Sequence, residues 1–98
     1  MTVWQEPMQF QWDAGNQEKN WIKHRVTHAE CEETFFDPHK RLLHPALHGE
    51  SETRHVLIGY TAGKRLLFVV FTIRGHTVRV ISARDTHRRE KSLYEETS

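Results

Sequence analysis

Alternation of apolar and polar side chains predicts a β-sheet in this chain, most clearly in its second half. Residues 8–12 read M-Q-F-Q-W, the pattern of a half-buried strand. Three further segments separated by short turns predict an antiparallel meander, at 54–60, 65–73 and 77–84. The middle one contains L-L-F-V-V-F, which is apolar on both faces, so it is predicted to be the central strand.

The first half of the chain carries two helix signals. Asp13 suits the N-cap of a helix over residues 14–25. Thr27 and Glu30 have the spacing of a capping box, so a second helix is predicted to begin there. This helix should end before the Asp-Pro pair at 37–38, because the residue before a proline disfavours helical backbone.

The remaining segments complete the predicted architecture. Residues 1–7 are interpreted as an N-terminal extension, residues 38–53 as a loop rich in Pro, His and Gly, and residues 87–96 as a short charged helix. The resulting order, β-α-α-β-β-β-α, predicts an α+β fold with helices packed against an antiparallel-rich sheet. A chain of 98 residues supports one core, so residues 8–98 are predicted to form a single domain.

Charge is distributed unevenly between the two parts of the chain. Residues 64–98 hold two Lys and six Arg against one Asp and three Glu, whereas residues 1–63 hold six basic and nine acidic side chains. A basic C-terminal part indicates a polyanionic partner. The single cysteine, Cys31, excludes an internal disulfide, and neither a signal peptide nor a membrane span is recognisable. We therefore expect a cytoplasmic protein without membrane contact.

Arg79 and Arg84 are the first candidates for chemistry, one within the last predicted strand and one at its end. A guanidinium presents a planar fork of donors that matches phosphate oxygens, which favours a phosphate-binding role. The alternative is a solvated sheet face on which the arginine stem covers apolar surface. Arg88 and Arg89 are interpreted as ordinary charges on the helix surface.

Several further side chains have more than one interpretation. His24 is a candidate general base, since a histidine titrates near neutrality. Glu90 could orient Arg84, act as a base or form a plain salt bridge, and Tyr94 could be a core residue or a phosphate contact. A zinc site needs three or four ligands that converge on one point. The spacing of the eight histidines does not indicate such a group, so no metal site is predicted. No cofactor fingerprint is present, and no cofactor is predicted.

Five segments distributed over residues 8–96 carry a family resemblance: M-Q-F-Q-W-D from Met8, N-W-I-K-H from Asn20, F-F-D-P from Phe35, R-H-V-L-I-G-Y from Arg54 and R-V-I-S-A-R from Arg79, with Glu90 and Tyr94 following. Together they resemble the BrnT-type toxins of bacterial type II toxin–antitoxin systems. The chain departs from the family pattern in three places: Arg25 replaces a usual glycine, Ile73 a frequent acidic residue, and Asp85-Thr86 a frequent basic residue followed by alanine.

The resemblance implies a RelE-like endoribonuclease that inhibits translation by cutting RNA, without a metal, through attack of the 2′-hydroxyl. It also implies a cognate BrnA-like antitoxin, which neutralises the toxin and carries the DNA-binding part, so that DNA is contacted only indirectly. The implied catalytic residues are Arg79, Arg84, Glu90 and His24, and those implied to bind RNA are Lys23 and Tyr94, to which we add the basic Lys64 and Arg74. The alternative hypothesis is a non-catalytic nucleic-acid- or protein-binding module that uses the same basic surface.

Overall fold

The computed structural model of the chain describes residues 9–12, 24–43, 47–48 and 53–95. Within these residues the elements in chain order are β1 (Gln9–Gln11), α1 (His28–Phe35), β2 (Arg41–Leu42), β3 (Leu47–His48), β4 (Thr53–Tyr60), β5 (Leu66–Arg74), β6 (Thr77–Asp85) and α2 (Arg88–Glu95). The predicted extension over 1–7, most of the predicted helix over 14–25, and Lys23 lie outside the described residues.

The strands form one mixed sheet in the order β1-β6-β5-β4-β2, with β3 paired to β4 beside this path. β1 pairs with β6 in parallel, and the other pairings are antiparallel. The predicted α+β class is confirmed, and β5 is the central strand, as its two apolar faces predict. Neither helix in the described part of the chain is long and apolar enough to cross a membrane.

The segment 38–53 is not the plain loop that its composition predicts. β2 pairs Arg41 with Ile58 and Leu42 with Leu57, so it forms the edge of the sheet beside β4. β3 pairs with the first residues of β4. A strand of two residues is too short to show an alternating pattern, and for this reason the sequence alone does not reveal either one.

Helix α1 begins as its sequence predicts. The Thr27 hydroxyl accepts a hydrogen bond from the Glu30 backbone N–H at 3.1 Å, and the Glu30 carboxylate accepts one from the Thr27 N–H at 3.0 Å. Val26 and Cys31, which flank this capping box, are both buried. Burial raises the pKa of Cys31 to about 12, so this thiol behaves as a small hydrophobic group.

The core lies between α1 and one face of the sheet. The Phe35 ring meets that of Phe71 edge-on at a centroid distance of 4.9 Å and that of Phe10 at 5.1 Å. Gly59 permits the close approach of α1, because a Cβ at this position would lie 2.8 Å from the Thr34 carbonyl oxygen. We call this side of the sheet the α1 face; its buried residues include Leu57, Leu67, Val69, Phe71, Val80 and Ala83.

Arg65 joins four parts of the chain beside α1. Its guanidinium donates to the backbone oxygens of His24 and Arg25, both at 2.8 Å, and to the carboxylates of Glu30 at 3.2 Å and Asp85 at 2.7 Å. The hydrogen bond from Arg65 is the main reason why the pKa of Asp85 lies below its ordinary value. The ion pair of Asp85 with Arg65 is therefore a structural contact.

Candidate active site

A β-bulge in β6 determines which side chains share a face of the sheet. Phe71 pairs with Val80 and Val70 pairs with Ser82, so Ile81 is an extra residue between the two pairs. Side chains alternate between faces in a regular strand, and an extra residue shifts this alternation by one. Residues before and after Ile81 that are an odd number of positions apart therefore point to the same side.

The bulge brings Arg79 and Arg84 to one face although they are five positions apart. Arg79 pairs with Thr72 and Arg84 pairs with Phe68, and directly opposed residues have their side chains on the same side. This side lies opposite the α1 face. We call it the arginine face; β5 and β6 contribute Phe68, Val70, Thr72, Arg79, Ser82 and Arg84 to it, and β4 contributes Val56 and Ile58.

Arg84 is held in a fixed position by three kinds of contact. Its two terminal nitrogens donate to the two Glu90 carboxylate oxygens at 2.9 and 2.8 Å. It also donates to the Asp85 backbone oxygen at 3.0 Å, and its Cζ lies 4.2 Å from the centre of the Phe68 ring. The bidentate contact with Glu90 raises the pKa of Arg84 above its ordinary value.

Glu90 reaches Arg84 because of its place in α2. The helix begins at Arg88, and the Glu90 carboxylate also accepts a hydrogen bond from the His87 backbone N–H at 2.8 Å. The Arg84 hydrogen bond, supported by that from His87, keeps the pKa of Glu90 below its ordinary value despite the opposing effect of burial. Glu90 is therefore a carboxylate near neutral pH and a weak base while Arg84 is bound to it.

Tyr94 lies one turn further along the same helix face. Its hydroxyl donates to the buried Asp37 carboxylate at 2.8 Å, and its ring meets that of Tyr60 edge-on at 5.2 Å. Burial and the hydrogen bond to Asp37 raise the pKa of Tyr94. These contacts connect α2 to the segment that follows α1, a structural role that accounts for Tyr94 without any RNA contact.

The other described site residues that the sequence predicts, His24, Lys64 and Arg74, lie in three different places. The backbone of His24 is bound by Arg65, and its imidazole affects the pKa of Asp85, which pairs with Leu67 on the α1 face. Lys64 lies in the turn before β5 with φ +68°, whereas Arg74 ends that strand, eight positions or roughly 26 Å beyond its first residue, Leu66. Arg74 does share the arginine face, through its pairing with Thr77.

Arg41 is a basic residue of the arginine face that sequence reasoning missed. Its pairing with Ile58 places it on the same side of the sheet as Arg84. The only sequence signal for it was a Lys-Arg pair before two leucines, in a segment whose Pro and Gly content indicates a loop. Among the described residues, no group of three or more His, Cys, Asp or Glu side chains could hold a metal ion.

The chain is thus a small α+β domain with guanidinium groups on one sheet face, and comparison with known proteins identifies its family and supports its fold. The model of the family described as "Ribonuclease toxin, BrnT, of type II toxin-antitoxin system" matches residues 12–90. The fold is similar to the crystal structure of the Brucella abortus ribonuclease toxin BrnT, with a TM-score of 0.62 and 23% identity, over 83% of this chain and 99% of that one. No curated protein matches the sequence.

The family match covers most of the chain, and the chain therefore belongs to the BrnT family of ribonuclease toxins of type II toxin–antitoxin systems. It is a ribonuclease toxin, and the system to which it belongs includes an antitoxin partner.

Proposed function

We propose that this toxin is a metal-independent endoribonuclease that inhibits translation in the cytoplasm by cutting RNA at the arginine face. The observation that carries the proposal is the placement of Arg79 and Arg84 on one side of the sheet by the bulge at Ile81. Positive charges that contact a phosphate stabilise the negative charge that develops during its reaction, which is usually the largest catalytic effect.

The proposed reaction is an internal transfer at one phosphate of the RNA chain. The 2′-hydroxyl loses its proton and its oxygen attacks the adjacent phosphorus, while the bond from phosphorus to the 5′-oxygen breaks. The 5′-oxygen takes up a proton, so the products are a 2′,3′-cyclic phosphate and a 5′-hydroxyl. DNA lacks the attacking hydroxyl and should be spared.

Glu90 is the proposed proton acceptor, in preference to His24. Glu90 contacts Arg84 directly, whereas the His24 backbone oxygen accepts a hydrogen bond from Arg65 and the charge of its imidazole helps to lower the pKa of Asp85. If Arg84 turns to the phosphate, Glu90 loses the partner that lowers its pKa most. Its basicity then rises once RNA is bound, which couples substrate binding to proton transfer.

The test is RNA cleavage in the presence of EDTA, with Arg79→Ala and Arg84→Ala singly and together. Loss of one electrostatic donor typically costs about 10²-fold to 10³-fold in rate, and we expect losses of this order. Arg88→Ala is the matched control, because Arg88 is exposed and lies two positions from Glu90, where helical side chains do not face each other. Cleavage that persists in the double variant would show that the site is elsewhere.

Glu90→Gln and His24→Ala separate the two candidate bases. We expect Glu90→Gln to abolish the acidic limb of the pH–rate profile, and His24→Ala to leave it unchanged. The reverse result would make His24 the base. A wild-type protein that binds RNA but does not cut it under any of these conditions would favour the non-catalytic binding module.

We further propose that the cognate BrnA-like antitoxin binds α2 and the leucine-bearing segment 42–47, of which residues 44–46 lie outside the described part of the chain, and that DNA is contacted only through this antitoxin. None of the residues of α2 is buried, although Leu93 and Tyr94 are partly covered. A weakly packed amphipathic helix presents apolar side chains that a partner can cover. Leu93→Asp should reduce antitoxin affinity at least tenfold, and an unchanged affinity would exclude α2 as the contact.

A further inference from the structure

An open pocket lies at the end of the sheet, between the C-terminal end of α1 and the turn from β4 to β5. We call it the turn pocket; it has a volume of about 320 Å³, and its walls include Glu33, Phe36, Pro38, Tyr60 and Lys64. Phe36 is 59% exposed, more than any other large apolar residue in the described part of the chain. Such a volume is at the lower end of the range for ligand sites and suits one planar ring system.

Helix α2 connects the turn pocket to Arg84. Glu90 of this helix binds Arg84, and Tyr94, one turn further, packs against Tyr60 in the pocket wall. Tyr60 points to the arginine face, because it lies two positions after Ile58 in β4 and alternate side chains share a face. The Tyr60 and Arg84 backbones are two strand spacings and two residues apart, or roughly 12 Å. Since the Arg84 side chain is 26% exposed and the pocket is open, an RNA strand with a phosphate at Arg84 can reach the pocket with a nearby base.

Glu33 has an acceptor oxygen available for a ligand. Its Oε1 accepts a hydrogen bond from the Ala62 backbone N–H at 3.0 Å, which holds the carboxylate in the pocket wall. Its Oε2 accepts none from the described residues. Both oxygens of Asp37, the other carboxylate of the pocket, already accept hydrogen bonds from protein groups. An ionised carboxylate only accepts hydrogen bonds, so Glu33 matches a ligand that donates them.

Lys64 brings a positive charge to the pocket at a backbone position that favours glycine. Its φ of +68° is in the left-handed region, where a side chain carries a cost that glycine avoids. A backbone conformation of this kind, held by a residue with a side chain, is a reason to look for a function of that side chain. The Lys64 ammonium is exposed, and no carboxylate of the described residues forms an ion pair with it.

We propose that the turn pocket binds one base of the RNA strand that the toxin cuts, and that guanine is the base that fits it best. The inference rests on the proposed function and adds a base preference to it. Guanine has two adjacent N–H donors on its pairing edge, which match the Glu33 carboxylate. The exposed Phe36 ring offers the stacking surface that unstacked bases of single-stranded RNA use, and Lys64 contacts the phosphate of the same nucleotide. These are binding residues and take no part in the bond-breaking step.

Two other occupants fit the turn pocket less well. A phosphate inside it would meet the negative charges of Glu33 and Asp37, whereas a base is uncharged. An apolar side chain of the antitoxin would cover Phe36 but would give the Glu33 oxygen no donor.

The experiment measures binding of uridine octamers with 2′-O-methyl groups throughout, which cannot undergo 2′-hydroxyl attack, and with guanosine or inosine at one central position. Inosine differs from guanosine only in lacking the exocyclic amino group. We expect wild type to bind the guanosine oligonucleotide about tenfold more tightly in fluorescence anisotropy. Glu33→Gln keeps an oxygen for the Ala62 N–H and replaces the other with an amino group that donates, so this variant should bind both oligonucleotides with similar affinity.

Two further variants test the other walls of the pocket. Phe36→Ala should weaken binding of both oligonucleotides about tenfold, because the stacking surface is lost. Lys64→Gly should reduce the slope of log K against log salt by about 0.7, the contribution of one phosphate contact on a single strand. It should leave the melting temperature unchanged or higher, since glycine suits the left-handed conformation. The control is Arg88→Gln, which removes a charge from an exposed helix position and should leave the slope unchanged.

Equal affinity of wild type for the guanosine and inosine oligonucleotides would overturn the inference, as would a preference for guanosine that persists in Glu33→Gln. A fall in melting temperature for Phe36→Ala, with unchanged oligonucleotide affinity, would identify Phe36 as a structural residue and overturn it too. If Glu33→Gln and Phe36→Ala weaken antitoxin binding and leave oligonucleotide binding unchanged, the pocket belongs to the protein partner and the inference fails.

Cleavage of unmodified RNA separates this inference from the proposed function. If Glu33→Gln raises KM for guanosine-containing RNA and leaves kcat near that of wild type, both stand. If wild type prefers the guanosine oligonucleotide through Glu33 but cuts no RNA, the base site stands and the proposed function fails. If cleavage is efficient and insensitive both to guanosine and to Glu33→Gln, the inference fails alone.

Discussion

At the scale of single residues, Arg25 adopts the left-handed backbone conformation, with φ +54°. The resemblance described in the sequence analysis implies a glycine at this position. A side chain in this conformation costs roughly 1–2 kcal/mol, which glycine avoids, although glycine loses more freedom on folding. The carbonyl oxygen of Arg25 accepts from Arg65, a contact that any residue at this position retains.

We therefore expect Arg25→Gly to raise the free energy of unfolding by about 1 kcal/mol, which for a domain of this size raises the melting temperature by about 4–8 °C. Arg25→Ala is the control, since it removes the same side-chain contacts without relieving the backbone conformation. Calorimetry of wild type, Arg25→Gly and Arg25→Ala measures the three melting temperatures. A glycine variant no more stable than the alanine variant would show that backbone strain at this position is negligible.

Tyr94 offers a second prediction at this scale. Tyr94→Phe removes one of the hydrogen bonds to Asp37 and keeps the ring against Tyr60. The carboxylate retains its bonds from the Tyr60 and His39 backbones at 2.8 and 2.9 Å. We expect a loss of about 1 kcal/mol in stability, and unchanged affinity for uncleavable RNA. Weaker RNA binding without any loss of stability would instead support the RNA contact implied by the family resemblance.

At the scale of elements, the bulge in β6 is the feature that assembles the candidate site. If Ile81 is an extra residue, its removal leaves the pairs on either side of it intact, and Arg79 and Arg84 become four positions apart on one face. If the ladder were regular instead, the same deletion would turn every side chain on one side of it to the opposite face of the sheet. The two possibilities predict opposite outcomes for one variant.

We expect the deletion of Ile81 to yield a folded protein that loses only about 1–2 kcal/mol, the contribution of a half-buried isoleucine. The control is deletion of Leu57, which lies in the regular ladder of β4 and has no spare residue beside it. This control should not fold, because every side chain beyond the deletion changes face. Circular dichroism and thermal melting compare the two, and an unfolded Ile81 deletion would contradict the assignment of the bulge.

The length of an element decides how much of it the sequence reveals. β4, β5 and β6 each span eight or nine residues, and their predicted ends lie within one residue of the observed ones. The capping box of α1 was also visible, because it depends on two side chains close in sequence. The bulge was not, since the extra residue is defined by the partner strand: Val80 and Ile81 are adjacent apolar residues, and only pairing with β5 shows which one is unpaired.

The residues of the candidate site also differ in whether the sequence alone reveals them. Arg79, Arg84 and Glu90 could be proposed from sequence, because residue type and spacing indicate phosphate chemistry and a possible ion pair. Arg41 could not, since its place depends on a two-residue strand and on a pairing with Ile58, 17 residues later in the chain. The structural partner of Tyr94, Asp37, was visible only as a residue before a proline.

At the scale of the whole molecule, four carboxylates share one electrostatic property. The pKa values of Glu30, Asp37, Asp85 and Glu90 all lie below their ordinary values, because burial, which raises them, is outweighed by hydrogen bonds from cationic, hydroxyl or backbone donors and by nearby positive charges. In the unfolded chain each of these groups binds its proton at a higher pH than in the folded protein. The folded protein therefore gains stability from them above about pH 4–5.

This stability is lost as the pH falls below about 4, through the lowered pKa values of the folded state. We expect the melting temperature to be nearly constant from pH 7 to pH 5 and to fall steeply from pH 4 to pH 2.5. Asp37→Asn, which cannot titrate, should be less stable at pH 7 and should lose less on acidification. A melting temperature that is independent of pH down to 2.5 would contradict the role of these groups.

The docking of α2 has a consequence for the working protein. Arg84 extends from the hydrogen-bonded sheet, whereas its partner Glu90 belongs to a helix without a buried residue. The complete site therefore exists only in the fraction of molecules whose last helix is docked, and local opening of such a helix requires far less free energy than global unfolding. Amide hydrogens of α2 should exchange with deuterium sooner than those of β5, and ribonuclease activity should decline on heating before the sheet melts.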